Sequence, residues 1–165
     1  ACTQARTGAL RNSYAEPERM GVDRWLAMLG GRDRVAGRFA VIDTGSALTI
    51  DIIDESGLHE GGFIIPGPAL MERALLLDTD RVRFDEDVDY ALTPGRSTAE
   101  AVRHGIAAAQ AGSVRLVLDK AGVDSVMWLF CGGGAAALMK LLGTTQGFAP
   151  DLVFEGLMIM AQGEN

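Results

Sequence analysis

The spacing of hydrophobic residues divides the first half of the chain into a helix and three strands. Trp25, Leu26 and Leu29 recur at helical spacing and predict a helix over residues 22–29, which two glycines at positions 30 and 31 would end. Apolar runs at 39–42, 49–53 and 58–65 predict strands, each followed by a turn signal. A glycine pair at 61–62 predicts a bulge in the third strand. The first half therefore predicts a helix followed by a three-stranded meander.

Helices dominate the predicted second half. Pro68 suits the first position of a helix over 69–77. Ser97 and Glu100 form a capping-box pattern that opens a long Ala-rich helix running toward Gly122. Further elements are a strand over 125–130, a loop over 131–134, and helices over 135–142 and 152–160.

This order of elements predicts an α/β fold of the ribonuclease H-like and actin-like (ASKHA) kinase type. Such kinases carry two copies of the unit with ATP between them, and one copy is recognisable here. We expect residues 39–165 to form the second of the two duplicated units. Residues 1–38 would be the end of the N-terminal half.

Composition narrows the range of ligands. The 165 residues carry a formal net charge of −7, and the basic side chains are scattered, so we expect no direct nucleic-acid contact. The longest apolar runs are too short for a membrane span, and Cys2 and Cys131 lack metal-ligand spacing. His59 and His104 show no partner spacing for a metal or a triad. These features predict a cytoplasmic protein.

A first candidate site is the hairpin that contains Asp43. A carboxylate at a strand end, followed by Gly45 and the hydroxyls of Ser46 and Thr49, could hold phosphate oxygens and a cation. The same letters also suit an ordinary turn. They further resemble the catalytic loop of retroviral-type aspartic proteases, which would require a homodimer because no second such loop occurs.

A second candidate site lies upstream, in Asn12-Ser-Tyr14 and Gly21-Val-Asp23-Arg24-Trp25. With a proline between these two motifs, the pattern resembles the type III pantothenate kinases. The resemblance continues collinearly through the Asp43 hairpin and four later segments, which are Gly61–Gly67, Ser97–Val102, Gly132–Gly134 and Pro150–Leu157.

The resemblance implies an activity and a role for each matching residue. The activity would be ATP-dependent phosphorylation of pantothenate to 4'-phosphopantothenate, the first step of coenzyme A biosynthesis. Asp23 would be the catalytic proton acceptor. Tyr14, Gly21, Val22, Arg24 and Thr98 would bind pantothenate, with Thr98 acting across a homodimer interface and Arg24 suited to the substrate carboxylate. Gly45, Ser46 and Thr49 would contact ATP, and Asp43 would bind a monovalent cation.

The implied cofactors are ATP with Mg²⁺ or another divalent metal, and K⁺ or NH₄⁺. Two departures from the family pattern stand out. Ser46 replaces a threonine, and the opening Asp-x-Gly-Asn-Thr phosphate loop is not found, so we expect the 165-residue chain alone to be inactive.

Without the family resemblance, Asp23 could equally be an acidic residue that stabilises a helix N-terminus, and Thr98 a first-turn residue behind its cap. A non-enzymatic regulator of the Bvg accessory factor type is the alternative function.

Overall fold

A four-stranded mixed sheet forms the centre of the molecule. The computed structural model describes residues 3–122 and 126–163, so the predicted strand start at Ser125 lies outside the described residues. Strand order is β5-β4-β3-β6, with β3–β4 and β4–β5 antiparallel and β3–β6 parallel. The strands are β3 (Phe39–Thr44), β4 (Ala47–Ile53), β5 (His59–Pro66) and β6 (Met127–Cys131). A small hairpin, β1 (Arg6–Thr7) and β2 (Leu10–Arg11), precedes them.

Helices cover both faces of this sheet. One face packs against α1 and α5, and the other against α3 and α4. The helices are α1 (Val22–Arg34), α2 (Pro68–Asp78), α3 (Thr98–Ala121), α4 (Ala135–Leu142) and α5 (Leu152–Gly163). Three meandering strands, followed by helices and a strand parallel to the first, give the α/β ribonuclease H-like arrangement that the sequence predicts. No helix in the described ranges is long and apolar enough to cross a membrane.

Successive side chains of β3 point to opposite faces of the sheet and pack against different helices. Val41 belongs to the core shared with α1 and α5, whereas Ile42 belongs to the core shared with α3 and α4. Because successive strand residues point to opposite faces, Asp43 falls on the α1 side and Thr44 on the α3 side. The end of β3 therefore contributes to both sides of the sheet.

The predicted end of the first helix at its glycine pair is wrong. Helix α1 continues through Gly30 and Gly31 to Arg34. A Cβ on Gly30 would lie 2.4 Å from the carbonyl oxygen of Leu152, and one on Gly31 would lie 2.5 Å from the Phe39 ring. The glycines therefore serve close packing of α1 against α5 and the sheet, and they do not stop the helix.

Other local predictions are confirmed. The Glu100 backbone N–H donates to the Ser97 hydroxyl (3.1 Å), as the capping box requires. The β4–β5 register shifts beside Ile52, and Gly61 has φ +136° there, so the expected bulge is present. Gly143 (φ +71°) ends α4 in the left-handed conformation.

Candidate active site

Asp23 lies exposed in the first turn of α1. Its Oδ1 accepts a hydrogen bond from the Arg24 backbone N–H (2.9 Å). A Cβ at Gly21 would lie 2.6 Å from the same oxygen, so the glycine leaves room for the carboxylate. Gly21 and Val22 are also exposed beside it. The helix start therefore presents a carboxylate to solvent at the edge of the core.

The neighbouring Arg24 points inward and is only 5% exposed. Its Nε donates to Asp51 Oδ2 (2.9 Å), and its Nη2 donates to Asp51 Oδ1 (2.5 Å). Burial by itself lowers the pKa of Arg24, but the hydrogen bonds and charge of Asp51 outweigh burial and raise it. The Tyr14 hydroxyl adds to that effect. Arg24 is therefore a permanent cation held by a two-pronged buried ion pair.

The sequence suggested that Arg24 binds the substrate carboxylate through two parallel N–H donors, and in the structure Asp51 takes such a pair. Nε and Nη2 are therefore already bound. The remaining Nη1 donates to the Tyr14 hydroxyl oxygen (2.9 Å). The Arg24 guanidinium also lies 5.7 Å from the Tyr14 ring centroid. Arg24 thus contacts Tyr14, which is itself half-buried and belongs to the predicted substrate site.

Asp51 has a second buried partner, His59. The His59 Nε2 lies 2.9 Å from Asp51 Oδ1, and its Nδ1 lies 2.9 Å from the Ser13 hydroxyl. The His59 side chain is fully buried, and both of its ring nitrogens have a hydrogen-bond partner. A Cβ at Gly62 would lie 2.2 Å from Asp51 Oδ1, so only glycine fits beside this pair.

Asp43 lies half-buried at the end of β3, opposite Thr49 in the β3–β4 register. Burial raises its pKa, and the negative charges of Asp23 and Asp51 raise it further. No ion pair to Asp43 is found within the described ranges. A carboxylate with two like-charged neighbours and no cationic partner is a favourable position for a bound cation.

The glycine-rich loop after β6 contacts the same strand end. Gly132 (φ +82°) packs so closely that a Cβ there would lie 2.2 Å from Asp43 Oδ1. The Gly134 N–H donates to the Thr44 carbonyl oxygen (2.9 Å). The hairpin turn at Gly45 and Ser46 remains exposed, and a Cβ at Gly45 would meet no atom within 4 Å. Space above the turn is therefore open to a ligand.

On the α3 side of this turn lies a cavity of about 330 Å³. Thr44 and Gly45 form its edge toward the turn, and its wall is mainly apolar. The remaining wall includes Ile106 and Gln110 of α3, Gly134, and Leu138 of α4. The cavity and the Asp23 carboxylate therefore lie on opposite faces of the sheet, with the Gly45 turn between them.

Thr98 lies apart from the other predicted site residues. It is exposed at the start of α3, and the described chain gives it no hydrogen bond to Asp23, Arg24 or Tyr14. Its predicted contact with substrate is one that a neighbouring subunit would have to complete. Within the described ranges, no group of three or more His, Cys, Asp or Glu side chains is arranged to hold a metal ion.

Asp51 and His59 were missed by the sequence reasoning. Asp51 occupies a strand position between isoleucines, where a charged side chain needs a buried partner, and that was the available signal. Nothing in the local sequence identifies Arg24 as that partner, because 27 residues separate them. The glycine run at 132–134 was recognised as a loop, but its contact with Asp43 was not predicted.

Comparison with known proteins identifies the family. Residues 1–120 match the profile described as "Type III pantothenate kinase". The chain belongs to the type III pantothenate kinase family. The type III pantothenate kinase of Marinobacter nauticus is 38% identical over 148 residues, which cover 90% of this chain and 61% of the relative. That of Ectopseudomonas mendocina is 40% identical over 166 positions, covering 96% of this chain and 67% of the relative.

The fold also resembles that of a protein of known structure. The chain resembles a crystal structure described as a conserved putative Baf family transcriptional activator from Campylobacter jejuni, with a TM-score of 0.66 and 26% identity. That similarity covers 95% of this chain and 70% of the other. The chain thus spans about 61 to 67% of the length of the two kinase relatives described above. Family membership also removes the aspartic protease alternative.

Proposed function

We propose that the full-length protein transfers the γ-phosphoryl group of ATP to the primary hydroxyl of pantothenate in the cytoplasm. The observation that carries this proposal is the exposed Asp23 carboxylate at the start of α1, within the motif of the type III pantothenate kinase family. The buried Arg24–Asp51 pair beneath it supports the position of that helix start.

Asp23 is proposed as the catalytic residue. Its carboxylate would accept a hydrogen bond from the pantothenate hydroxyl, orient the oxygen toward the γ-phosphorus and take the proton as the bond to phosphorus forms. ADP leaves in the same step, so the chain itself forms no covalent intermediate. A divalent metal such as Mg²⁺ would neutralise charge on the ATP phosphates.

The Gly45 turn is proposed to bind the ATP phosphates. Its open backbone allows close approach, and the hydroxyls of Ser46 and Thr49 can donate to phosphate oxygens. From this turn the nucleotide can extend to either face of the sheet. We propose that the terminal phosphate lies on the Asp23 side.

Pantothenate is proposed to bind between Asp23 and Tyr14, with Gly21 and Val22 lining the site. Arg24 contributes through its hydrogen bond to Tyr14. Thr98 of the neighbouring subunit would close the site. A coupled ADP-release assay on the full-length protein tests the proposal, since release should depend on pantothenate. ADP release that is independent of pantothenate, or no release at all, would remove it.

A monovalent cation at Asp43 is expected to stabilise the protein. Because burial and two neighbouring carboxylates raise the pKa of Asp43, its contribution to stability is lost as the pH rises through that pKa. A bound K⁺ or NH₄⁺ offsets the cost of the ionised form, so its effect should be larger at pH 8 than at pH 5. At ten times its Kd, K⁺ should raise the Tm by roughly 3 to 6 °C relative to tetramethylammonium.

Asp43→Asn is the matched variant for this measurement by scanning calorimetry. Without the carboxylate, the Tm should no longer respond to K⁺. A K⁺ response that persists in the variant would assign the cation to another position.

A homodimer is expected, because α3 carries an exposed face of small residues, formed by Gly105, Ala108, Ala109 and Gly112. Cβ atoms at Gly105 and Gly112 would meet nothing within 4 Å. Sedimentation equilibrium should therefore show a dimer at micromolar concentration. Gly105→Arg should weaken association by tenfold or more, about 1.4 kcal/mol, since the long cation would separate the helices. Gly37→Arg, at an equally open glycine in a loop, is the control, and a strictly monomeric wild type contradicts the proposal.

A second candidate function is suggested by the description of the Campylobacter jejuni protein as a putative transcriptional activator. The Asp23→Asn variant distinguishes pantothenate phosphorylation from transcriptional activation. If regulation is the primary role, Asp23→Asn should abolish ADP release while leaving activation of a reporter promoter intact.

A further inference from the structure

A buried chain of side chains links β5 to the segment that carries the predicted substrate residues. It runs from Ser13 through His59, Asp51 and Arg24 to Tyr14. We propose that Asp51 and His59 are positioning residues that hold the Tyr14 hydroxyl in place to donate a hydrogen bond to pantothenate. This inference rests on the proposed pantothenate kinase activity.

Donor and acceptor directions in this chain follow from chemistry. Arg24 can only donate, so the Tyr14 oxygen accepts from Nη1 and keeps its own hydrogen for another partner. The Tyr14 hydrogen is therefore the donor at the outer end of this row of side chains. Asp51 takes the other two Arg24 donors, so Arg24 contacts Tyr14 through Nη1. The Arg24 charge polarises the Tyr14 O–H bond and makes it a stronger donor.

His59 fixes the other end of the chain. Asp51 as a carboxylate only accepts, so His59 donates from Nε2, and a neutral ring then accepts at Nδ1 from the Ser13 hydroxyl. Ser13 is the chain neighbour of Tyr14. The His59 ring also lies 6.1 Å from the Tyr14 ring, centroid to centroid. His59 therefore restrains Tyr14 both through Asp51 and Arg24 and through the adjoining backbone.

The fold should tolerate loss of His59. In His59→Leu, Asp51 keeps both hydrogen bonds to Arg24, and the exposed Ser13 hydroxyl can bind water. A purely structural role predicts equal effects on both substrates. A positioning role predicts an effect on pantothenate alone, because none of the hydrogen-bonded side chains from Ser13 to Tyr14 belongs to the proposed ATP-binding turn.

The experiment measures steady-state kinetics of the full-length protein with His59→Leu and His59→Gln. For His59→Leu we expect the pantothenate KM to rise about tenfold, with kcat and the ATP KM changed less than twofold. His59→Gln should recover part of the loss, since its amide can still donate to Asp51. His104→Leu is the matched control and should leave all constants unchanged. His104 lies on α3, where its Nδ1 is 2.7 Å from the carbonyl oxygen of Thr93 in the preceding segment, away from the residues that link His59 to Tyr14.

A double-variant comparison separates positioning from general disturbance. If His59 acts through Tyr14, then His59→Leu in a Tyr14→Phe background should change the pantothenate KM less than twofold further. An undiminished tenfold effect in that background, or parallel changes in both KM values, overturns the proposal.

Hydrogen exchange tests the inference even if pantothenate proves not to be the substrate. In His59→Leu, amides of residues 12–20 should exchange at least several-fold faster, while those of α3 and α4 remain unchanged. Unchanged exchange over residues 12–20 would show that His59 does not hold this segment, whatever the protein phosphorylates.

Discussion

Asp23→Asn in the full-length protein should lower kcat about a hundredfold or more while leaving the pantothenate KM within a few-fold of wild type. The amide keeps the size of the side chain and can still accept from the Arg24 backbone N–H, so the helix start should be preserved. What it loses is the capacity to take a proton from the substrate hydroxyl.

The measurement is the initial rate of pantothenate-dependent ADP release. Asp33→Asn, an exposed acid near the other end of α1, is the control and should be active. If the Asp23 variant turns over at the wild-type rate, another group must accept the proton, and the proposed role of Asp23 is lost.

Asp51→Asn should have the largest effect on stability. It leaves the buried Arg24 cation without its counter-charge, which typically costs about 3 to 5 kcal/mol. For a chain of this length the Tm should fall by roughly 6 to 20 °C. Glu155→Gln, which breaks the more exposed Arg34–Glu155 pair, should cost less than about 1 kcal/mol.

A double variant identifies the cause. Arg24→Met combined with Asp51→Asn removes the stranded charge, and the asparagine can still accept from His59. This variant should recover part of the lost Tm. If the double variant is less stable than Asp51→Asn alone, then packing around Arg24, and not its charge, dominates the stability of this region.

Local signals in the sequence were sufficient for most of the fold. The meander and a further strand near β6 follow from apolar runs and glycine turns, and the cap at Ser97 follows from its spacing to Glu100. The parallel pairing of β6 with β3 was not predicted from the sequence. The error at Gly30 and Gly31 has a physical cause. A glycine in a helical pattern can mark a stop or a close contact, and only the position of Leu152, far along the chain, decides between them.

The site was predictable where its residues are adjacent in sequence. Asp23, Arg24 and Tyr14 were recognised through their motif, but the motif suggested that Arg24 faces the substrate. Its inward orientation depends on Asp51, which a buried strand supplies from 27 residues away. The assignments of individual site residues and the domain boundary after residue 38 stay predictions.

The contact between α1 and α5 has a consequence for which substitutions the protein can accept. Gly156 lies so near α1 that a Cβ would fall 1.9 Å from the Leu26 carbonyl oxygen, and a Cβ at Gly30 would fall 2.4 Å from the Leu152 carbonyl oxygen at the start of α5. A larger side chain at either glycine would push α1 and α5 apart, and we expect a shift of α1 to displace the Asp23 carboxylate at its first turn. Under the role proposed for Asp23, Gly156 of α5 would therefore affect the active site without belonging to its motif. If Asp23 has the proposed role, substitutions along α5 offer laboratory evolution a way to adjust turnover without altering the Gly21–Trp25 motif.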